Sequence, residues 1–186
     1  MTAVPPPSSG PGPLVDRLRA GTDVIVPIAN GEPRAFLDEV ERRCEDLVDV
    51  SIHQMSPVRA RRFHGPDRGG VRYVSYFLSS ELREPFAAGH LDLVPNDFHA
   101  VPEVLRSTWR APLLVVATSP PDRHGYVSMG LSADYCAALL HEVPVMVEVN
   151  PLMPRVRGLH NFHLSEAVAW FEAETPMVEK PPPPVT

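Results

Sequence analysis

An Asp two residues before a His, with a Ser three residues before that Asp, is the arrangement nearest to nucleophilic chemistry in this sequence. It lies in Ser119-Pro120-Pro121-Asp122-Arg123-His124-Gly125-Tyr126. A hydrolase triad needs its Ser on a strained elbow, and the G-x-S-x-G pattern that builds one is absent. Pro120-Pro121 fixes the chain path, Asp122 can cap a turn, and Gly125 admits unusual dihedrals. The segment reads as a rigid loop.

Ala29-Asn30-Gly31 follows an apolar strand and precedes a helix. Backbone N–H groups left free at such a turn can bind an anion; Gly31 can equally be a plain turn residue. Neither G-x-G-x-x-G nor the Walker Lys with Ser/Thr is present, so nucleotide binding has no support. His53, His99, His124, His160 and His163 fall at or near expected strand ends. His160 and His163 are three apart, but Asn161-Phe162 between them reads as extended. No His-Glu-x-x-His or Cys-x-x-Cys pattern occurs, and no metal is expected. Cys44 and Cys136, the only two cysteines, sit among apolar residues at helical spacing and read as buried reduced thiols.

Periodicity supplies the elements that carry these residues. Strands are expected at 23–28, 48–53, 71–77, 91–95, 113–118 and 144–149. Helices are expected at 34–48, 79–88, 100–106, 132–141 and 165–171. In the first helix Phe36, Leu37, Val40, Cys44 and Leu47 share one face; Gly89 stops the second; Ser165 caps the last, with Glu166 in its first turn. The continuous apolar run at 113–118 fits a strand covered on both faces. Alternating strands and helices build a parallel sheet. The expected fold is therefore α/β, an open, mainly parallel sheet flanked by helices. Ligands of such a sheet bind beyond the strand carboxyl ends, here 29–32, 54–57, 78–80, 96–99, 119–126 and 150–154. Residues 59–70, basic and glycine-containing, read as a mobile loop.

The chain has 186 residues, 44% hydrophobic and 22% charged, enough for one α/β domain. Its formal net charge of -6 argues against nucleic acid or an anionic membrane as partner. No apolar run approaches the roughly 20 residues of a membrane span, and no signal-peptide pattern opens the sequence, so a cytoplasmic protein is expected. Prolines number 23, many of them terminal. Residues 1–13 and 179–186 read as Pro-rich disordered tails around a domain at 14–178.

Ser119-Pro120-Pro121-Asp122-Arg123-His124-Gly125-Tyr126, together with Glu148-Val149-Asn150-Pro151-Leu152-Met153-Pro154, resembles signatures of the acetyl-CoA hydrolase/transferase family, which includes 4-hydroxybutyrate CoA-transferases. The resemblance covers about 14–178 and matches the amino-terminal half of the family's usual length. It implies a CoA-transferase-like half whose substrate is an acyl-CoA. In that family's chemistry a glutamate attacks the thioester, forms an acyl-glutamyl anhydride, and then a glutamyl-CoA thioester that a second carboxylate attacks. In a hydrolase, water intercepts instead. The nucleophilic glutamate belongs to the other half, and Glu81, Glu103, Glu148 and Glu166 match no such motif, so no catalytic residue is assigned here. The resemblance implies a partner polypeptide that supplies this glutamate and most of the CoA site.

By the same resemblance, the candidate substrate-binding residues are Ala29, Asn30, Gly31, Met55, Asn96, His99, Asn150 and Met153. Asn30 and Glu32 stand where family members more often carry small residues, and His99 lines the acyl pocket or serves as a core or capping residue. Leu152, Met153, Leu159, Phe162, Trp170 and Phe171 are candidates for a docking face. The alternative is a non-catalytic structural or regulatory subunit that stabilises a catalytic partner.

Overall fold

The computed structural model describes residues 3–179. Among them the strands are β1 (Thr22–Ile25), β2 (Val50–Gln54), β3 (Val71–Ser75), β4 (Asp92–Leu93), β5 (Ala111–Thr118), β6 (Tyr126–Ser128), β7 (Val145–Val149), β8 (Asn161–His163) and β9 (Ala167–Glu172). The helices are α1 (Gly12–Val15), α2 (Arg34–Arg42), α3 (Arg83–Ala87) and α4 (Val101–Thr108).

Seven strands form one sheet in the order β4-β3-β2-β1-β5-β7-β9, and every pairing in it is parallel. The expected α/β architecture is the one observed. The chain moves outward from β1 to β4, then returns to place β5 on the other side of β1. The strand order thus reverses between β1 and β5, where open α/β sheets take their ligands.

β-Branched and apolar side chains fill both faces. On one face Val24, Val26, Ile52 and Val115 pack with Leu14 and Val15 of α1 and Phe36, Leu37 and Val40 of α2. On the other, Ile25, Leu114, Val116 and Val147 pack with Val101 and Leu105 of α4. β6 and β8 form a separate antiparallel pair, so Asn161 and Phe162 are extended as expected.

Three expectations are corrected. Residues 165–171 are not a helix: a 3₁₀ turn, Leu164–Glu166, leads into β9. Residues 132–141 hold only the 3₁₀ turn Ala137–Leu139, because Asp134 and Tyr135 bond to neighbouring loops rather than to a helical turn. Residues 59–70 are not a free loop, since Arg61 is sealed into an ion pair. Of the proposed docking residues, Met153, Phe162, Trp170 and Phe171 are core, whereas Leu152 and Leu159 are exposed.

Both cysteines are buried free thiols, with Cys44 just beyond α2 rather than on its face. In the 1–13 segment, the Ser8 N–H donates to the Trp170 carbonyl (2.8 Å) and the Trp170 indole donates to the Pro5 carbonyl (2.7 Å). Residues 180–186 of the carboxy-terminal Pro-rich segment lie outside the described residues. No helix is long and apolar enough to cross a membrane among the described residues.

Candidate functional site at the carboxyl end of β1

Beyond β1 the chain makes the 3₁₀ turn Ala29–Gly31 and enters α2. Ala29 adopts φ 46°, a conformation rare for a residue with a Cβ. Its N–H donates to the Ser56 carbonyl at 3.0 Å, tying the loop after β1 to the loop after β2. Ala29 and Asn30 line a cavity of about 270 Å³ with Ser56, Pro57, Val58, Glu81 and Val178.

Gly31 is buried against the loop after β6. A Cβ there would overlap Ser132 Oγ and Cβ and lie 2.8 Å from the Pro27 Cβ. Close approach, rather than anion capture, is what this geometry requires of the glycine. The same seam is closed by Asp134, which accepts the Ile28 N–H (2.9 Å) and the Cys136 N–H (2.8 Å). Burial, opposed by these bonds, pushes the Asp134 carboxyl up to about 6. The Tyr135 hydroxyl donates to the Val26 carbonyl (2.6 Å) and accepts the Met55 N–H (3.3 Å).

Glu32 faces away from the cavity. Its carboxylate accepts from Arg61 (2.8 Å), Gln54 (2.8 Å) and the Val58 N–H (3.0 Å), and neither its side chain nor that of Arg61 has any exposure. Glu148, at the carboxyl end of β7, is fully buried beneath the first turn of α2, where it accepts the Phe36 N–H at 3.0 Å. Burial pushes its carboxyl up to about 7, against the Phe36 and Ala35 N–H groups and the Thr175 hydroxyl, which lower it.

After β9 the chain crosses the strand ends as a strap. Asn150 exchanges two bonds with Thr175, amide to carbonyl at 2.7 Å and N–H to side-chain oxygen at 3.2 Å. Asn30 does the same with Val178, at 2.9 and 2.8 Å, and Arg34 donates to the Pro176 carbonyl at 2.6 Å. Nothing in the composition of residues 173–178 signals this role.

Of the eight residues expected to bind substrate, Ala29 and Asn30 line the cavity. Asn150 is linked to Asn30 through the strap. Gly31 supports the loop beneath them, and Met153 is buried against Gly130. Met55 is buried in the second core. Asn96 donates to the Val94 (2.7 Å) and Tyr76 (3.0 Å) carbonyls, and His99 sits on the exposed 3₁₀ turn Phe98–Ala100; neither is among the cavity-lining residues.

The Ser119–Asp122–His124 group forms no triad. Asp122 accepts the backbone N–H groups of His124 (2.8 Å) and Tyr126 (3.0 Å), which depress its carboxyl. Ser119 Oγ accepts the Ser128 N–H at 3.2 Å. Backbone bonds close the loop on itself, from the Asp122 N–H to the Tyr126 carbonyl (2.8 Å) and from the Gly125 N–H to the Asp122 carbonyl (2.9 Å).

A second polar cluster, not anticipated from sequence, runs along one side of β1, β2 and β3. His53 joins the Tyr76 hydroxyl (2.9 Å) to Asp23 (3.4 Å) in a cavity of about 330 Å³. Burial raises the Asp23 carboxyl, but hydrogen bonds from His53 and the Arg110 N–H outweigh it and hold it at about 2. Among the described residues, no group of three or more His, Cys, Asp or Glu side chains could hold a metal ion.

Comparison with known proteins bears on this arrangement. The family model for the acetyl-CoA hydrolase/transferase N-terminal domain matches residues 15–172. Succinyl-CoA:cyclohexane-1-carboxylate CoA transferase of Geobacter metallireducens is 32% identical over 170 residues, which are 91% of this chain and 39% of that protein. The 4-hydroxybutyrate coenzyme A transferase of Clostridium kluyveri is 27% identical over 174 residues, 91% of this chain and 40% of its own length. The crystal structure of RipA from Yersinia pestis superposes with a TM-score of 0.87 over 96% of this chain and 45% of RipA, at 24% identity, a likeness of fold. The chain thus spans about 40% of the length of the curated relatives it matches.

Proposed function

Because the chain belongs to the acetyl-CoA hydrolase/transferase family, through that family's N-terminal domain, we propose that it is one part of a split enzyme acting on acyl-CoA thioesters. It contributes the acyl or carboxylate pocket, and a partner polypeptide supplies the nucleophilic glutamate and most of the CoA site. The reaction is transfer of CoA from an acyl-CoA to a carboxylate, or hydrolysis of the thioester. The observation that carries this reading is the cavity at the carboxyl end of β1, lined by Ala29 and Asn30, in a chain that matches about 40% of the length of two CoA transferases.

The chemistry requires a carboxylate nucleophile that splits one difficult transfer into easier covalent steps. No glutamate of this chain is given that role. Glu32 is locked to Arg61, and Glu148 is sealed under α2. This chain's part is to shape the pocket wall, exclude water and hold the loop backbones fixed.

The alternative of a non-catalytic scaffold draws on the strap, since the Asn30 and Asn150 side chains are bonded to the chain itself. Co-expression with the adjacent reading frame, native mass measurement and an acyl-CoA screen of the resulting complex test the proposal. A stable heteromer that turns over an acyl-CoA supports the split enzyme. Full activity of this chain alone refutes the need for a partner. A heteromer whose turnover is untouched by substitution of the cavity wall favours the scaffold.

A further inference from the structure

Resting on the acyl-CoA reading above, we infer that the strap of residues 173–178 holds Val178 in the wall of the acyl pocket and that Val178 sets the length of acyl group admitted. Nothing in the sequence pattern marks this segment as part of a site.

The strap is fixed along its length. The Ala173 N–H donates to the Val149 carbonyl at 3.0 Å. Thr175 is held by both ends of the Asn150 amide, and its hydroxyl lies 3.3 Å from Glu148 Oε1. The Arg34 guanidinium holds the Pro176 carbonyl. At Val178 both backbone groups pair with the Asn30 side chain, as one strand residue pairs with the next. Asn30 is therefore a positioning residue: its polar end is directed at the strap, and its effect on a ligand passes through Val178.

Val178 is partly exposed (38%) and lines the cavity together with Ser56, Pro57 and Val58. A volume of about 270 Å³ lies just below the roughly 300–1,000 Å³ typical of ligand sites. It suits a short acyl group and not the nucleotide of CoA. Among the described residues the ionisable lining side chain is the acidic Glu81, beside the apolar Ala29, Pro57, Val58 and Val178. That lining disfavours a second carboxylate on the acyl chain and fits a short group.

The test measures kcat/KM of the assembled complex for acetyl-, butyryl- and hexanoyl-CoA, in wild type and in Val178→Ala, Val178→Phe and Asn30→Ala. In a hydrophobic pocket one methylene changes kcat/KM by about 10- to 200-fold. Val178→Ala is expected to raise the hexanoyl-to-acetyl ratio by about tenfold, and Val178→Phe to lower it by a similar factor. Asn30→Ala should widen acceptance as Val178→Ala does and should speed amide exchange over 174–178. An active complex whose ratios ignore both Val178 variants overturns the inference and leaves the acyl-CoA reading intact. Unchanged exchange in Asn30→Ala overturns the positioning role. A complex inert to every acyl-CoA overturns the functional reading, and the inference with it.

Discussion

Glu32 and Arg61 meet at 2.8 Å with both side chains shut off from solvent, 29 positions apart in sequence. The pair clamps the loop after β2 onto the loop after β1, because Glu32 also holds Gln54 and the Val58 N–H. Arg61 reaches outward as well, to Asp38 at 2.7 Å. Removing one member of a buried pair strands the other charge and costs about 3–5 kcal/mol, whereas replacing both with apolar residues is often neutral. Arg61→Met should therefore lower the urea-unfolding free energy by about that amount. The double variant Arg61→Met with Glu32→Leu should recover part of the loss. Equal or greater loss in the double variant would show that the pair adds net stability.

The apolar runs that became β5 and β7 were legible because both faces of these strands are covered. The run that forms β9 carries a helix-like start. Ser165 and Glu166 bond as a helix start would, with the Ser165 N–H on His163 Nδ1 (3.2 Å) and Glu166 accepting the His163 N–H (3.0 Å), but they close a single 3₁₀ turn. Ala169, Trp170 and Phe171 then alternate between the two cores, a period of two that a six-residue apolar stretch does not distinguish from a helix. Pairing with β7 decides the outcome. The candidate site was legible only where a strand ends in a turn, at Ala29–Gly31. The strap and the Glu32–Arg61 pair depend on contacts between distant segments, and neither leaves a local pattern.

Stability should depend on pH through Glu148. Burial raises its carboxyl from 4.5 to about 7, so between those values the folded chain holds a proton that the unfolded chain has released. Stability therefore falls as pH rises from about 4.5 to 7 and is flat for this group above that. The full span is about 3 kcal/mol. Glu148→Gln cannot titrate and keeps an oxygen to accept the Phe36 N–H. Urea midpoints measured from pH 5 to 8 should fall less steeply in Glu148→Gln than in wild type. Identical slopes would show that Glu148 is already ionised in the fold.

Asp134 acts in the same direction at lower pH, since its carboxyl is raised from 3.8 to about 6. Asp23 acts in the opposite direction. Its carboxyl falls to about 2, so its contribution is present above about 3.8 and is lost as pH drops towards 2. Asp23→Asn should therefore weaken the fold at pH 7 and reduce the acid sensitivity seen below pH 4. A variant that unfolds in acid at the wild-type midpoint would assign that sensitivity to other carboxylates.

Gly31 is needed for space. The Cβ of an alanine would overlap Ser132 and would also lie only 2.8 Å from the Pro27 Cβ. Overpacking of this kind costs about 1–3 kcal/mol, and here it would also separate the loop after β1 from the segment that carries Asp134. Gly31→Ala should lower stability by that amount. Ser132→Gly, which removes both overlapping atoms, should restore much of it in the double variant, giving a coupling energy well above the roughly 0.3–0.5 kcal/mol scatter of independent sites. Additive losses in the double-mutant cycle would place the requirement for glycine in the backbone of the turn and not in its contact with Ser132.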